Sequence, residues 1–354
     1  MNRSSLRKPS AKAISVIVAF VLCAFILALA GCSASTSGSA QGSSSTSDDV
    51  KTVRIGTMPT EDILPAWVAQ QEGLFEANGI DAEIVVFDSA PSLSAAITAG
   101  EVDMAMTDIM RAVKLTESGA DVEIDWITLG TTPDQGRFGI MTNADAPYST
   151  LSEMAEYAAS EPDSDKYAVG AAANTVPEYV FDMLLERNDL APDAIATVEV
   201  ASLPERFSLM ASGNIGAAAL PASLLELGEN SGMKLLADDT QGDNISQSVM
   251  VSRVAFADEH ADTIIAVAKA WDEAVDMIAA NKDAYRALLI EKANINADIA
   301  DVYPISDYPK AIEAETLAHP SSDIVEKQIE WMRTKGYGGD NASYDEATGK
   351  ISKD

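Results

Sequence analysis

The chain has 354 residues, of which 47% are hydrophobic, so it can bury a sizeable core, and its formal net charge is −31. That acidity argues against a nucleic-acid partner, which needs a concentrated basic surface, and by itself reports solubility more than function. Two cysteines, Cys23 and Cys32, and two histidines, His260 and His319, are too few for a disulfide framework or a metal cluster, and both histidines are expected at the surface.

The N-terminus carries an address. Arg3, Arg7, Lys8 and Lys12 form a basic stretch, Ala13 to Ala30 is almost wholly apolar, and small Ala30 and Gly31 precede Cys32. This order resembles a bacterial lipoprotein signal, residues 1–31, cut before Cys32. The resemblance implies a lipid thioether on Cys32 and a place at the extracytoplasmic face of the cell membrane. Cys23 leaves with the signal, so no free thiol remains for catalysis. Residues 32–50, rich in Ser, Gly and Thr, form a flexible tether of roughly 20–25 Å by random-coil scaling.

From Val53 onward, short apolar strands alternate with helices. The pattern predicts a strand over Val53 to Met58, a helix over Ile63 to Phe75 and a strand over Ala82 to Phe87. A helix over Pro91 to Ala99, a strand over Val102 to Met106, a helix over Ile109 to Ser118 and a strand over Val122 to Leu129 complete a first series. A second series starts at the strand Phe138 to Thr142. Its helices are Leu151 to Ala159, Val176 to Arg187, Pro204 to Ser212 and Ala222 to Leu227. Its further strands are Tyr167 to Ala171, Ala196 to Val200, Ala217 to Leu220 and Lys234 to Ala237. Strand Ser248 to Val254 then precedes helices at about Ala261 to Ala280, Asp283 to Lys292 and Ser322 to Lys335. The polar segment from Gly339 to Asp354 reads as a loose cap. Such alternation indicates βαβ units, hence an α/β fold with two mostly parallel sheets flanked by helices. Lobe 1 is expected over 51–135 and 246–354, and lobe 2 over 136–245. The chain crosses between them near Thr131 to Phe138 and Asp239 to Ser248.

Five markers in order carry a family resemblance. Leu64-Pro65-Ala66-Trp67-Val68-Ala69-Gln70-Gln71-Glu72-Gly73-Leu74-Phe75 leads to Asn78-Gly79-Ile80-Asp81-Ala82-Glu83. Ala99-Gly100-Glu101-Val102-Asp103-Met104-Ala105 forms a turn, and Asn174-Thr175-Val176-Pro177-Glu178-Tyr179 opens a helix. Gly213 to Ala218 leads into Leu220-Pro221, and Asn244 to Ser248 follows. From Val53 to Val254 the chain resembles solute-binding lipoproteins of ABC importers, in the nitrate/sulfonate/taurine and thiamine-precursor-like branch. The resemblance implies a type II periplasmic-binding-protein fold whose cleft closes on solute and is read by a permease with its ATPase. No cofactor or metal is expected, and a monomer is.

Residues after strand ends and at helix starts face the crevice of such a sheet, where free N–H groups meet anions or carbonyl oxygens. Candidates are Met58, Thr60 and Glu61 after the first strand, Ser89 and Ser92 after the second, and Thr107 and Asp108 after the third. In the second series they are Asn174, Thr175, Ser202 and Pro221. An ordinary helix N-cap is the alternative for each Ser, Thr, Asn or Asp. Glu61 and Asp108 suit an ammonium or ring N–H. Arg137 and Arg206 are the cationic candidates, with an ion pair between lobes as their alternative role. Trp67, Met58, Met104, Met106 and Met110 read as core.

The pattern holds no phosphate loop, nucleophile elbow or zinc motif in a credible context. The leading expectation is therefore non-catalytic capture of a small polar or heteroaromatic metabolite. A tethered sensor, or a thiamine-pyrimidine-type enzyme on a related fold, is the alternative.

Overall fold

The computed structural model describes residues 51–353 apart from 134, 162–163 and 243. The export signal, Cys32 and the tether lie outside the described residues. The chain opens with β1 (Lys51–Thr57), a 3-10 turn (Glu61–Ile63), α1 (Leu64–Gln71), α2 (Leu74–Ala77), β2 (Ile80–Val86), α3 (Ala90–Ala99), β3 (Met104–Asp108), α4 (Ile109–Glu117) and β4 (Val122–Leu129). Next come β5 (Phe138–Thr142), α5 (Leu151–Ser160), β6 (Val169–Ala171), α6 (Val176–Arg187), β7 (Thr197–Glu199), α7 (Leu203–Ala211), β8 (Ala217–Pro221), α8 (Ala222–Asn230) and β9 (Lys234–Asp238). The rest is β10 (Ser248–Arg253), α9 (Val254–Ala280), α10 (Arg286–Lys292), β11 (Ile312–Glu313), β12 (Thr316–Leu317), α11 (Ser322–Lys335), β13 (Ala342–Asp345) and β14 (Lys350–Lys353).

These strands form a seven-stranded sheet of order β13-β14-β4-β10-β3-β1-β2 and a five-stranded sheet of order β7-β6-β8-β5-β9. In the large sheet β1 runs parallel to β2 and β3, while β10 is antiparallel to β3 and β4. In the small sheet β6 is parallel to β7 and β8, and β5 is antiparallel to β8 and β9. Each strand that enters a sheet from the other one thus arrives against the prevailing direction.

The central strands are buried on both faces, as helix-covered sheets require: Val53, Ile55, Val249 and Ala217 have no exposed surface. One apolar cluster runs through both sheets, joining Ile109, Val325 and Ile329 to Ile140, Val169 and Tyr179. A second fills the other side of the large sheet, where α1 and α9 pack, and includes Ala222 of α8.

Three expectations need correction. The single helix over Ile63 to Phe75 is broken, because Gly73 adopts φ 71° between α1 and α2, a left-handed value glycine takes without steric cost. The third strand is shifted to Met104–Asp108. The polar C-terminus is not a loose cap: β13 and β14 pair as an antiparallel hairpin, and β14 joins β4 at Glu123.

The motif around Asp103 has a structural role. Asp103 accepts hydrogen bonds from the Arg54 backbone N–H at 3.0 Å, from Arg54 Nη2 at 3.0 Å and from Arg253 Nη2 at 2.9 Å. It pins β1 to the end of β10. Burial opposes its charge, but the two guanidinium groups outweigh that and hold its carboxyl below the usual range.

Candidate functional site

Strand order decides which candidates meet. Ser89 follows β2, Met58 to Glu61 follow β1, and Asp108 ends β3, so the order β2-β1-β3-β10 lines them along one edge with Ser248. In the small sheet the order β7-β6-β8-β5 does the same for Ser202, Asn174 with Thr175, Pro221 and Phe138.

Several of these polar groups serve their own helices. Ser89 accepts from Ser92 N–H at 3.3 Å, Asp108 from Arg111 N–H at 2.7 Å and Ser202 from Glu205 N–H at 3.4 Å, each capping a helix. Thr107 is buried, while Ser92 and Ser202 are exposed. Thr175 donates to the Ala172 carbonyl at 2.6 Å instead of capping α6.

The carboxylates at the large-sheet edge are strongly perturbed. Burial, the neighbouring Asp62 and the more distant Glu226 push Glu61 from 4.5 to about 8, although the Tyr303 hydroxyl favours its charged form. Burial also raises Asp62, beside the Ser248 hydroxyl, and Asp108. The Thr128 hydroxyl donates to Ser248 Oγ at 2.9 Å, and Tyr308 OH donates to the Glu61 carbonyl at 3.0 Å. Thr60 Oγ1 and Asn174 Oδ1 are buried without a partner. Such shifts mark this edge as a candidate binding surface.

Placement at strand ends does not reveal Asp62, Thr128, Tyr303, Tyr308 and Glu226. Asp62 adjoins a residue already chosen. The two tyrosines come from an irregular segment with no periodicity to announce it.

The two sheets meet here through α8. Ala222 and Leu227 pack into the large-sheet core, and Leu224, Phe207 and Pro204 face Asn294 and Asn296 across a cavity of about 270 Å³.

Neither arginine spans the two sheets. Arg137 pairs with Asp238 at 2.8 Å, Glu226 at 3.1 Å and Glu229 at 2.9 Å, all from β9 and α8 beside its own strand. Arg206, 2% exposed, donates to the carbonyls of Val200 at 2.9 Å and Ala219 at 2.8 Å, and burial lowers it to about 10. It braces the small sheet from within. Trp67, Met104, Met106 and Met110 are core residues, as expected, whereas Met58, read the same way, is only half-buried and lies outside the apolar clusters. His260 is exposed, whereas His319 is half-buried with Nδ1 2.9 Å from the Glu346 carbonyl.

Two chain segments link the sheets, 130–137 and 239–247, and they are bonded to each other. Asn244 donates to the Thr132 carbonyl at 2.7 Å and Ser246 to the Gly136 carbonyl at 3.1 Å. Gly130 adopts φ 97°, where an added Cβ would lie 2.6 Å from the Ser246 carbonyl oxygen.

Among the described residues no group of His, Cys, Asp or Glu is arranged to hold a metal ion, and no helix is long and apolar enough to cross a membrane.

Two α/β sheets joined by a paired crossing define the periplasmic binding protein fold, and solved structures agree. An alkanesulfonate-binding protein from Xanthomonas axonopodis pv. citri, bound to MOPS, superposes with a TM-score of 0.63 at 14% identity, over 81% of this chain and 92% of that one. The periplasmic nitrate-binding protein of Synechocystis PCC 6803 gives a TM-score of 0.64 at 14% identity, over 82% and 83%. A protein of Brachyspira hyodysenteriae named as an ABC transporter periplasmic binding protein is 25% identical over 276 residues, 76% of this chain and 75% of its own. The sequence profile of the NMT1-like family matches residues 47–292, and the chain belongs to that family.

Proposed function

We propose that this protein is the extracytoplasmic solute-binding component of an ABC importer, held to the membrane by lipid on Cys32. It captures a small polar or heteroaromatic metabolite between lobe 1 (51–135 and 246–354) and lobe 2 (136–245) and delivers it to the permease. The observation that carries this reading is the packing of Ala222 and Leu227 of α8 into the large-sheet core, which brings the small sheet against the edge where α/β sheets bind ligands. Two lobes on a paired crossing can open and close, and solute stabilises the closed form by its extra affinity for it. The family match and the Brachyspira relative support binding and transport over catalysis.

Met58, Thr60, Glu61, Ser89, Ser92, Thr107 and Asp108 line the lobe 1 side in this reading. Asn174, Thr175, Ser202, Pro221 and, at the crossing, Arg137 line the other. Arg137 is already matched by three carboxylates, so it shapes the wall more than it attracts an anion.

The test is a thermal-shift screen of the chain from Asp48 against sulfonates, nitrate, pyrimidines, amines and amino acids. A solute at a hundred times its dissociation constant adds about 2.7 kcal/mol, a rise of roughly 4 °C for a body of this size. One chemical class raising the midpoint, and losing that effect in Glu61→Ala or Asn174→Ala, supports the reading. A saturating solute unaffected by either substitution would place the site elsewhere.

A further inference from the structure

The loop Ala172 to Thr175, which opens α6 in the small sheet, is held by two carboxylates. Glu199 Oε2 accepts from Ala173 N–H at 2.9 Å, and Glu178 Oε2 accepts from Asn174 N–H at 2.7 Å. Asn174 sits at φ 55°, a left-handed conformation that costs energy in a side-chain-bearing residue unless its surroundings enforce it. Part of that enforcement comes from far away in sequence. Glu178 is 4% exposed, and its other oxygen accepts from Tyr337 OH at 2.7 Å and faces Lys335 Nζ at 3.4 Å.

Tyr337 and Lys335 belong to the large-sheet side. The Tyr337 carbonyl accepts from Lys114 Nζ of α4 at 2.9 Å, and Gly339 N–H donates to Glu117 Oε1 of the same helix at 2.5 Å. The contact on α6 is broad: Lys335 pairs with Asp182 at 2.9 Å, Trp331 Nε1 donates to Asp182 at 2.8 Å, and the Tyr179 and Trp331 rings meet edge-on at 5.3 Å. Tyr337 thus has its backbone tied to α4 and its hydroxyl tied to α6. Gln328, earlier on α11, donates to Gln247 at the second crossing at 3.1 Å, so the same helix also braces the linker between the sheets.

We propose that Lys335 and Tyr337 form a strap that positions the Ala172–Thr175 loop through Glu178, making Glu178 a positioning residue for solute binding. This rests on the loop being part of the solute site. The strap holds Glu178 so that one oxygen stays aimed at Asn174 N–H. Without it the carboxylate loses both of its cationic and hydroxyl partners and turns toward water, and the loop is held by Glu199 alone. Motion between the sheets would then reach the loop through the strap, because its anchor and its load sit on opposite sides.

Hydrogen exchange on the purified full-length protein in detergent, without solute, tests this. In Lys335→Met/Tyr337→Phe the amides of residues 173–176 should exchange at least fivefold faster while β6 and β8 keep their protection, and the conservative single variant Lys335→Arg should keep near-original rates. Unchanged exchange at 173–176, or equal loss of protection throughout the small sheet, overturns the proposal. Should the double variant unfold, Tyr337→Phe alone, which removes one oxygen, gives the same reading with the same criteria. The measurement needs no solute: a positive solute screen with unchanged loop exchange would remove the strap and leave the binding function, and a silent screen would leave the strap standing.

Discussion

Asp239 and Phe138 are bonded twice. The Asp239 carboxylate accepts from Phe138 N–H at 2.9 Å, and Asp239 N–H donates to the Phe138 carbonyl at 3.0 Å. The pair ties the two linking segments together where they enter the small sheet, so the connection between the sheets is a laced ribbon rather than two loose strands.

The lacing has a pH cost. Burial pushes Asp239 from 3.8 to about 6, against the favourable Ser246 hydroxyl and Phe138 N–H, with Asp238 adding repulsion. A carboxyl raised on folding contributes stability below its unfolded value and loses it as pH rises through its folded one. Asp239→Asn keeps an acceptor for Phe138 N–H and removes the charge. Urea denaturation should show it about 1–2 kcal/mol more stable than the natural chain at pH 8, with the difference gone near pH 3.5.

Gly130 is expected to resist substitution. Its φ of 97° and the 2.6 Å approach to the Ser246 carbonyl leave no room for a Cβ. Gly130→Ala should cost about 2–3 kcal/mol through strain and displaced crossings. Gly232→Ala is the control: it shares positive φ but meets nothing within 4 Å, and should cost less in the same denaturation series.

Much of this architecture was legible because apolar strands and amphipathic helices alternate strongly up to Arg253. The break at Gly73 was hidden because the helix-compatible polar run Gln70 to Glu72 is followed, directly after Gly73, by apolar Leu74 and Phe75. The C-terminal hairpin was hidden for the opposite reason: Ala342 and Ile351 are the only buried residues in its two strands, so its sequence reads as polar although its backbone completes a sheet. Strand-end placement brings Glu61 and Asp108 to one sheet edge because topology alone fixes that position. The same placement does not reveal Tyr308, whose hydroxyl reaches Glu61 across 247 residues from a segment without periodicity.

The Arg54–Asp103–Arg253 cluster should behave in the opposite sense to Asp239. Asp103 is held low, so it contributes above its unfolded pKa and that contribution is lost as pH falls through its folded value. Asp103→Asn leaves two guanidinium groups facing one neutral amide and should cost about 2 kcal/mol at pH 7, allowing for their partial exposure. The cost should shrink toward pH 3. A cost independent of pH would assign it to packing rather than to charge.

Glu61 offers the most direct link from site to stability. Its carboxyl is raised from 4.5 to about 8, so it is mostly protonated at neutral pH in the unliganded protein and resists ionisation as pH climbs. The sign is that of Asp239: its contribution is full below pH 4.5 and lost as pH rises through 8. Glu61 is only half-buried, so the effect is discounted for solvent to about 1–2 kcal/mol between pH 6 and 9. Glu61→Gln preserves shape and the backbone carbonyl that Tyr308 grips, and should flatten that decline while leaving stability at pH 5 nearly unchanged. An equally steep decline in the variant would move the titration to Asp62 or Asp108, whose carboxyls burial also raises. Denaturation curves of Asp62→Asn and Asp108→Asn across the same pH range would separate those two.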